Sequence, residues 1–123
     1  MELNEITGII IEESISIHKE LGPGLMESVY EEALYVCLLE RGLTVERQVA
    51  IPVYLRGKKL EVGFRADLIV EGIVIVELKS TEVVAPVHYK KLLNYLKLTS
   101  MPIGLLINFY VDLLKNGIKR IAN

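Results

Sequence analysis

An apolar run interrupted by three charged side chains constrains the fold of this chain more than any other stretch of it. Residues 65–80 have the sequence Arg-Ala-Asp-Leu-Ile-Val-Glu-Gly-Ile-Val-Ile-Val-Glu-Leu-Lys-Ser. The run predicts two strands of one hairpin, and it is so apolar that protein must cover both faces of those strands. Asp67, Glu77 and Lys79 therefore lie in a buried setting, where a charge needs a structural or chemical reason.

The length of the hairpin loop decides which charges share a face, because side chains alternate along a strand. A two-residue loop would place Asp67 and Glu77 on opposite faces. A three-residue loop over residues 70–72 gives Gly72 the position that needs a positive φ. Asp67 then lies opposite Ile75, with Glu77 as its diagonal neighbour about 7 Å away on the same face. We expect this longer loop.

Length and composition bound the possible functions. The 123 residues predict a single domain over residues 1–123. Half of the residues (51%) are hydrophobic, which predicts a well-formed core, and the net charge of −2 excludes a broad electrostatic surface for nucleic acid. The chain has no secretory signal pattern and no apolar run of about 18 residues, so a cytoplasmic location without a membrane span is expected.

Helical spacing of apolar residues predicts two helices in the first third of the chain. The first covers residues 4–21 with Asn4 as its cap, and the second covers residues 25–40 with Gly42 as a left-handed exit. We expect them to pack together. The apolar face of the second helix is predicted to contain Val29, Tyr30, Ala33, Leu34, Cys37 and Leu38, with Cys37 as a buried structural thiol.

The hydrophobic period then changes to two. Alternation over residues 45–55 predicts a strand, and Arg56-Gly57-Lys58 turns the chain into the strand that carries Asp67. Pro52 indicates that the first strand lies at an edge, or that the backbone nitrogen of this residue points away from the ladder.

A third helix is predicted over residues 86–98 and a buried strand over residues 103–108. The segment from Leu113 to the end is predicted to be a short helical turn or a strand. The fold class is therefore α/β. We expect a central mixed sheet, made of a three-stranded antiparallel meander plus a further strand, flanked by helices.

Glu27 in the first turn of the second helix has two interpretations. Alone, it favours the helix dipole. If that turn meets the hairpin, Glu27, Asp67 and Glu77 form a cluster of acids that cannot stay ionised in a low dielectric unless a cation compensates. Oxygen ligands of this kind suit Mg²⁺ or Mn²⁺, and the backbone carbonyl of Leu78 is a further candidate ligand.

The other polar residues also have a structural and a functional interpretation. Lys79 shares the face of Glu77 and either neutralises it or holds the water that attacks phosphorus. His88, Lys91 and Tyr95 share one helical face, which either lines a substrate groove or forms a polar margin. Arg65 either binds phosphate or, as we favour, pairs with Glu77.

Two further side chains are assigned to the core. We favour a hydrogen-bonded core histidine for His18 over a metal ligand, and packing for Tyr30 over catalysis.

The motifs resemble a known family. Gly24-Leu25-Met26-Glu27-Ser28-Val29-Tyr30 has the pattern of the GxxExxY proteins, and Asp67 with Glu77-Leu78-Lys79 resembles the PD-(D/E)xK nuclease signature to which they are assigned. The resemblance covers nearly the whole chain. It implies a restriction-endonuclease-like core in which Glu27, Asp67 and Glu77 bind metal and Lys79 is catalytic. Two departures are Ala66, where the signature has proline, and Lys91, where a glutamine is usual.

The leading interpretation is a Mg²⁺- or Mn²⁺-dependent nuclease that hydrolyses phosphodiester bonds in DNA or RNA, with Asp67, Glu77 and Lys79 as its catalytic residues. One alternative is a non-catalytic module of the same fold that binds a protein or nucleic-acid partner. Another is a metal-dependent phosphatase, because the ligands alone do not choose between monoesters and diesters. Homodimerisation is compatible with the first interpretation, since many nucleases of this fold pair two sites across a duplex.

Overall fold

A computed structural model describes residues 1–123 and has a five-stranded sheet with helices on both faces. The helices are α1 (Leu3–Leu21), α2 (Glu27–Glu40) and α3 (Pro86–Thr99), and a 3₁₀ turn spans Leu114–Gly117. The strands are β1 (Val45–Ile51), β2 (Tyr54–Leu55), β3 (Lys58–Lys59), β4 (Phe64–Val70), β5 (Val74–Lys79), β6 (Ile103–Asn108) and β7 (Ile118–Ala122). The order in the main sheet is β1-β4-β5-β6-β7, and only β5 and β6 are parallel.

The predicted α/β class is confirmed, and so is the antiparallel meander, which is β1-β4-β5. Strand β6 has the predicted bounds and lies parallel to β5. The C-terminal segment contains both predicted alternatives, a helical turn followed by a strand, and β7 adds an edge strand that the predicted four-stranded sheet lacked.

The two N-terminal helices pack together as expected, but their starts differ from the prediction. Helix α1 begins at Leu3, and the Asn4 side chain caps nothing because its Oδ1 accepts a hydrogen bond from Arg120 (3.0 Å). Helix α2 begins at Glu27, since Met26 is still extended (ψ 145°).

The face of α2 also differs at one position. Tyr30, Leu34 and Leu38 are fully buried at a spacing of four residues. Val29 lies off that stripe and is 41% exposed, so its predicted place on the apolar face is wrong. Cys37 is a half-buried free thiol, and burial followed by the charge of Glu13 raises its pKa.

The strand predicted over residues 45–55 is divided at Pro52. Strand β1 ends at Ile51 and lies at the edge of the sheet, as Pro52 indicated. Proline cannot donate to a ladder, so the chain leaves the sheet there, and Tyr54–Leu55 pairs instead with Lys58–Lys59 in a separate two-stranded hairpin.

The β4–β5 loop has the predicted number of residues but lies one residue further along the chain. Val70 pairs with Val74, so the loop is residues 71–73 rather than 70–72. The predicted loop and the observed loop both contain an odd number of residues, so Asp67 and Glu77 still lie on the same face of the hairpin. Gly72 has the positive φ expected of it (67°).

Contacts with the α2–β1 connection accompany this register. Glu71 also has a positive φ (53°). Its backbone N–H donates to the Thr44 carbonyl (2.8 Å), and its Oε2 accepts from the Thr44 N–H (2.6 Å). These two bonds hold Glu71 in the turn.

The sheet separates two apolar cores of unequal size. The larger core has 18 buried residues between the sheet and the α1–α2 pair. The smaller core has eight buried residues between the sheet and α3. Leu105 and Leu106 of β6, both fully buried, point into the larger and the smaller core respectively. None of the three helices combines the length and the apolarity that a membrane span requires.

Candidate functional site

The loop before α2 is held by the Tyr30 side chain. Tyr30 Oη donates to the Gly22 carbonyl (2.6 Å) and accepts from the Leu25 N–H (3.0 Å). The ring is fully buried and stacks on Phe109 with centroids 4.2 Å apart. Gly24 within the loop has a φ of 83°, which favours glycine. Tyr30 is a packing residue, as predicted, and it also fixes where α2 begins.

Glu27 reaches the carboxyl end of β5. Its Oε2 accepts from the Ser80 N–H (3.3 Å), and Ser80 Oγ donates to the Leu25 carbonyl (2.5 Å). The first turn of α2 therefore meets the hairpin, which was the condition for the functional interpretation of Glu27. The Gly-x-x-Glu-x-x-Tyr spacing has a physical explanation here, because the tyrosine fixes the loop that positions the glutamate.

Asp67 and Glu77 face each other where the β4–β5 ladder ends. The last backbone pair is Leu68 with Val76. Beyond it, the Asp67 N–H donates to Glu77 Oε1 (3.2 Å), and the Leu78 N–H donates to Asp67 Oδ2 (2.9 Å). Asp67 lies directly opposite Glu77, so the predicted pairing of Asp67 with Ile75 is wrong. The predicted shared face is confirmed.

The backbone of β1 is distorted at the position opposite Asp67. Gln48, in the middle of the strand, has a φ of 48°, and its pair with Asp67 is missing from the β1–β4 ladder. Its Nε2 donates to Glu31 Oε1 (2.6 Å) and to Asp67 Oδ1 (3.4 Å). Sequence reasoning missed Gln48, since a glutamine in an alternating strand carries no signal of distortion.

Burial and mutual repulsion disfavour charge on both carboxylates. Burial, followed by the nearby charge of Asp67, raises the pKa of Glu77 to about 8, against the opposing effects of the Asp67 N–H, Lys91 and Lys79. Burial also raises the pKa of Asp67, and the carboxylates of Glu31 and Glu27 act in the same direction. The nearby cations therefore do not fully balance the negative charge of the two carboxylates.

Lys79 lies beside this pair, in a narrow cleft beneath α3. The cleft is about 10 Å³, close to the space of one water molecule. It is lined by Glu77, Lys79, His88, Lys91, Leu92, Tyr95 and Leu106. The predicted face of α3 and the predicted catalytic lysine thus line one cleft.

The three α3 residues differ in exposure. His88 is half-buried, and its pKa is lowered by burial and by the charges of Lys79 and Lys91. Lys91 is exposed, with Nζ 5.9 Å from the centre of the Tyr95 ring. Tyr95 is buried, and burial followed by the charge of Glu77 raises its pKa to about 12. Tyr95 forms a wall of the cleft, and the other two face its opening.

The expected salt bridge between Arg65 and Glu77 is wrong. Arg65 is exposed, and its Nη1 donates to the backbone carbonyl of Gln48 (3.0 Å). The arginine that pairs with carboxylates near the site is Arg47, which contacts Glu31 (3.1 Å) and Glu32 on α2. Sequence reasoning missed this network, because strand alternation does not say which helix residues a strand faces.

The donor set fits a divalent ion that keeps most of its water. No three side chains of histidine, cysteine, aspartate or glutamate lie close enough together to hold a metal ion alone, so the predicted three-acid cluster of Glu27, Asp67 and Glu77 is wrong. Mg²⁺ needs only one or two carboxylates and completes its shell with waters. Asp67 and Glu77 supply two carboxylates whose negative charge is not fully balanced by nearby cations. The backbone carbonyl of Leu78 points to the same side of β5 as the Leu78 N–H, which donates to Asp67.

His18 belongs to the core, as predicted. It is buried, and its Nε2 lies 2.7 Å from the Val111 carbonyl oxygen.

Comparison with protein families matches residues 4–121 to the PD-(D/E)XK nuclease superfamily. Because the match covers nearly the whole chain, the chain belongs to that superfamily, and its mixed sheet flanked by helices is a restriction-endonuclease-like fold. Nucleases of this superfamily act on nucleic acid and generally use divalent metals. No curated protein and no solved structure matches the chain.

Proposed function

We propose that this chain is a Mg²⁺- or Mn²⁺-dependent nuclease of the GxxExxY type, a single domain that hydrolyses phosphodiester bonds in DNA or RNA. One observation carries the proposal. The carboxylates of Asp67 and Glu77 lie together at the open end of the β4–β5 hairpin, with Lys79 two residues further along the same strand.

Asp67, Glu77 and the Leu78 carbonyl would hold the metal, and the carboxylate of Glu27, in the first turn of α2, would add negative charge beside it. The raised pKa values of Asp67 and Glu77 support this assignment, since a divalent cation would compensate the negative charge that burial disfavours on both carboxylates. When bound, the ion draws charge off the phosphate oxygens and the leaving group.

Lys79 orients the attacking water and helps to remove its proton. The water oxygen forms a bond to phosphorus, the bond from phosphorus to the leaving oxygen breaks, and that oxygen takes up a proton from a neighbouring water molecule. His88 and Lys91 at the mouth of the cleft bind the flanking phosphates, and Arg65 binds phosphate from the β1 side. Tyr95 shapes the cleft that excludes bulk water.

The test uses purified protein with plasmid, single-stranded and branched DNA and with RNA, in the presence of Mn²⁺. We expect cleavage of at least one substrate, and a loss of about 10²–10⁴-fold in rate for Lys79→Ala. Asp67→Ala should abolish cleavage. The matched control is Lys97→Ala, at the exposed far end of α3. Activity that survives both site substitutions would contradict the proposal.

A second candidate is a non-catalytic module of the same fold that binds a protein or nucleic-acid partner. It is favoured by the lack of a group of three side chains that could hold a metal ion alone. Titration calorimetry with Mn²⁺ separates the two. Binding that is lost in Glu77→Gln supports the enzyme. No binding at millimolar metal, together with unchanged stability of Glu77→Ala, supports the module.

The phosphatase alternative is tested with the same preparation. Hydrolysis of a phosphate monoester, without cleavage of any diester, would favour it over the nuclease.

A further inference from the structure

Positive charge is concentrated in the β2–β3 hairpin and the residues that lead from it into β4, although the net charge of the chain is negative. Residues 54–65 contain four of the 14 basic residues but only one of the 16 acidic residues. The turn passes through Arg56 and Gly57, which both have positive φ (51° and 77°). Large apolar side chains of the same segment are exposed, including Tyr54 (59%) and Val62 (80%). Neither the charge nor the exposed aromatic ring is explained by the fold.

A groove of about 540 Å³ lies between this hairpin and the adjoining ends of β1 and β4. Its lining includes Lys59, Phe64 and Arg65. Tyr54 is the cross-strand partner of Lys59, so the two side chains project from the same face of the hairpin. One N–H of the Arg65 guanidinium donates to Gln48, and a guanidinium has five such donors. The groove thus combines two cations with one aromatic ring and the single acidic side chain of the segment, and the Tyr54 ring projects beside it.

The groove adjoins the catalytic cleft through one pair of rings. Phe64 packs against Tyr95 with ring centroids 5.1 Å apart. Tyr95 in turn lines the cleft together with Glu77 and Lys79. The groove and the cleft therefore lie on either side of this one pair of rings, close enough for one extended strand to contact both.

We propose that the β2–β3 hairpin and this groove bind a single-stranded segment of nucleic acid that extends from the cleft. Lys59 and Arg65 contact phosphates, and bases stack on Tyr54 and Phe64. The identity of the polymer in the cleft rests on the proposed function. The choice of a single strand rests on the exposed rings, because base faces are available for stacking only when the strand is unpaired.

A second copy of the chain fits this surface poorly. A two-fold interface brings a patch against the same patch of the other copy. Arg56, Lys58 and Lys59 would then face like charges, which costs association energy. Phosphate supplies the complementary charge.

The test measures the affinity for a fluorescent 12-residue oligothymidylate by anisotropy, in EDTA so that no cleavage occurs. We expect Lys59→Ala/Arg65→Ala to lower the slope of log affinity against log salt by about 1.4, since each contact on a single strand contributes about 0.7. Tyr54→Ala should weaken binding by at least about fivefold, the lower limit for one stacked base. Lys19→Ala, on exposed α1 surface, is the matched control and should change neither value.

Three results would overturn the inference. They are a wild-type protein that does not bind the oligonucleotide, variants that bind as the control does, and tighter binding of the same sequence as a duplex. Sedimentation that shows a dimer dissociated by Tyr54→Ala would instead assign the surface to a second copy. Oligonucleotide binding that depends on Tyr54 in a protein without nuclease activity would refute the proposed function alone. Cleavage by a protein whose hairpin variants bind normally would refute this inference alone.

Discussion

The two faces of the sheet differ in what they bury. The side covered by α1 and α2 holds the larger core, and its buried polar groups, such as Ser14 and His18, have hydrogen-bond partners within the protein. The side covered by α3 holds eight buried apolar residues and shares its space with Glu77 and Lys79. Most of the buried apolar residues therefore lie on one side of the sheet and the candidate site on the other, so the larger core can offset the cost of the charges beneath α3.

The largest expected effect is the pH dependence of stability on the α3 side. Glu77 has an ordinary pKa of 4.5 when unfolded and about 8 when folded. Between these values the native state binds more protons than the unfolded state, so the free energy of unfolding falls as the pH rises. The upper bound for this group is about 5 kcal/mol. Asp67, whose pKa is also raised, contributes with the same sign.

Urea denaturation in EDTA at pH 5, 7 and 9 measures this dependence. Glu77→Gln, which mimics the protonated acid at every pH, should remove most of the slope. If the variant and the wild type lose stability in parallel, Glu77 is not the group responsible.

The next effect compares adjacent residues of β6 that face opposite sides. Leu105→Ala leaves a cavity in the larger core and should lower the free energy of unfolding by about 3–5 kcal/mol. Leu106→Ala should cost about 2–3 kcal/mol, because Leu106 lines the cleft and water can occupy part of the space. Chemical denaturation of both variants checks the order. Equal losses would show that the two cores are equally closed.

The smallest expected effect concerns Tyr30, whose ring packs in the larger core and whose hydroxyl holds the loop before Glu27. Tyr30→Phe keeps the ring in the larger core but removes the hydrogen bonds to Gly22 and Leu25. We expect a loss of about 1–2 kcal/mol in the free energy of unfolding. Nuclease activity should fall as well, because Glu27 is no longer held at the end of β5. An unchanged cleavage rate would show that Glu27 is positioned without the tyrosine.

Much of the fold follows from local patterns. The helices and the buried strand β6 could be predicted because hydrophobic periodicity is a local signal. The placement of Asp67 and Glu77 on one face of the hairpin followed from an odd number of loop residues. The one-residue shift of the turn could not be predicted, since it goes with bonds between Glu71 and Thr44, which lie 27 residues apart.

The site was predictable in part for a similar reason. Asp67, Glu77 and Lys79 are visible because charges interrupt an apolar run. The placement of Glu27 depends on Tyr30 and on Ser80, which is distant in sequence. The error at Arg65 has the same origin, because its partner is a backbone carbonyl of a neighbouring strand.

The distortion at Gln48 has a consequence for the sheet as a whole. Strand β1 is an edge strand, and a straight edge offers unpaired N–H and C=O groups to a strand of another molecule. The positive φ of Gln48 interrupts this row at its middle, and Pro52 follows its end. The irregularity next to Asp67 therefore also guards the protein against strand addition and aggregation.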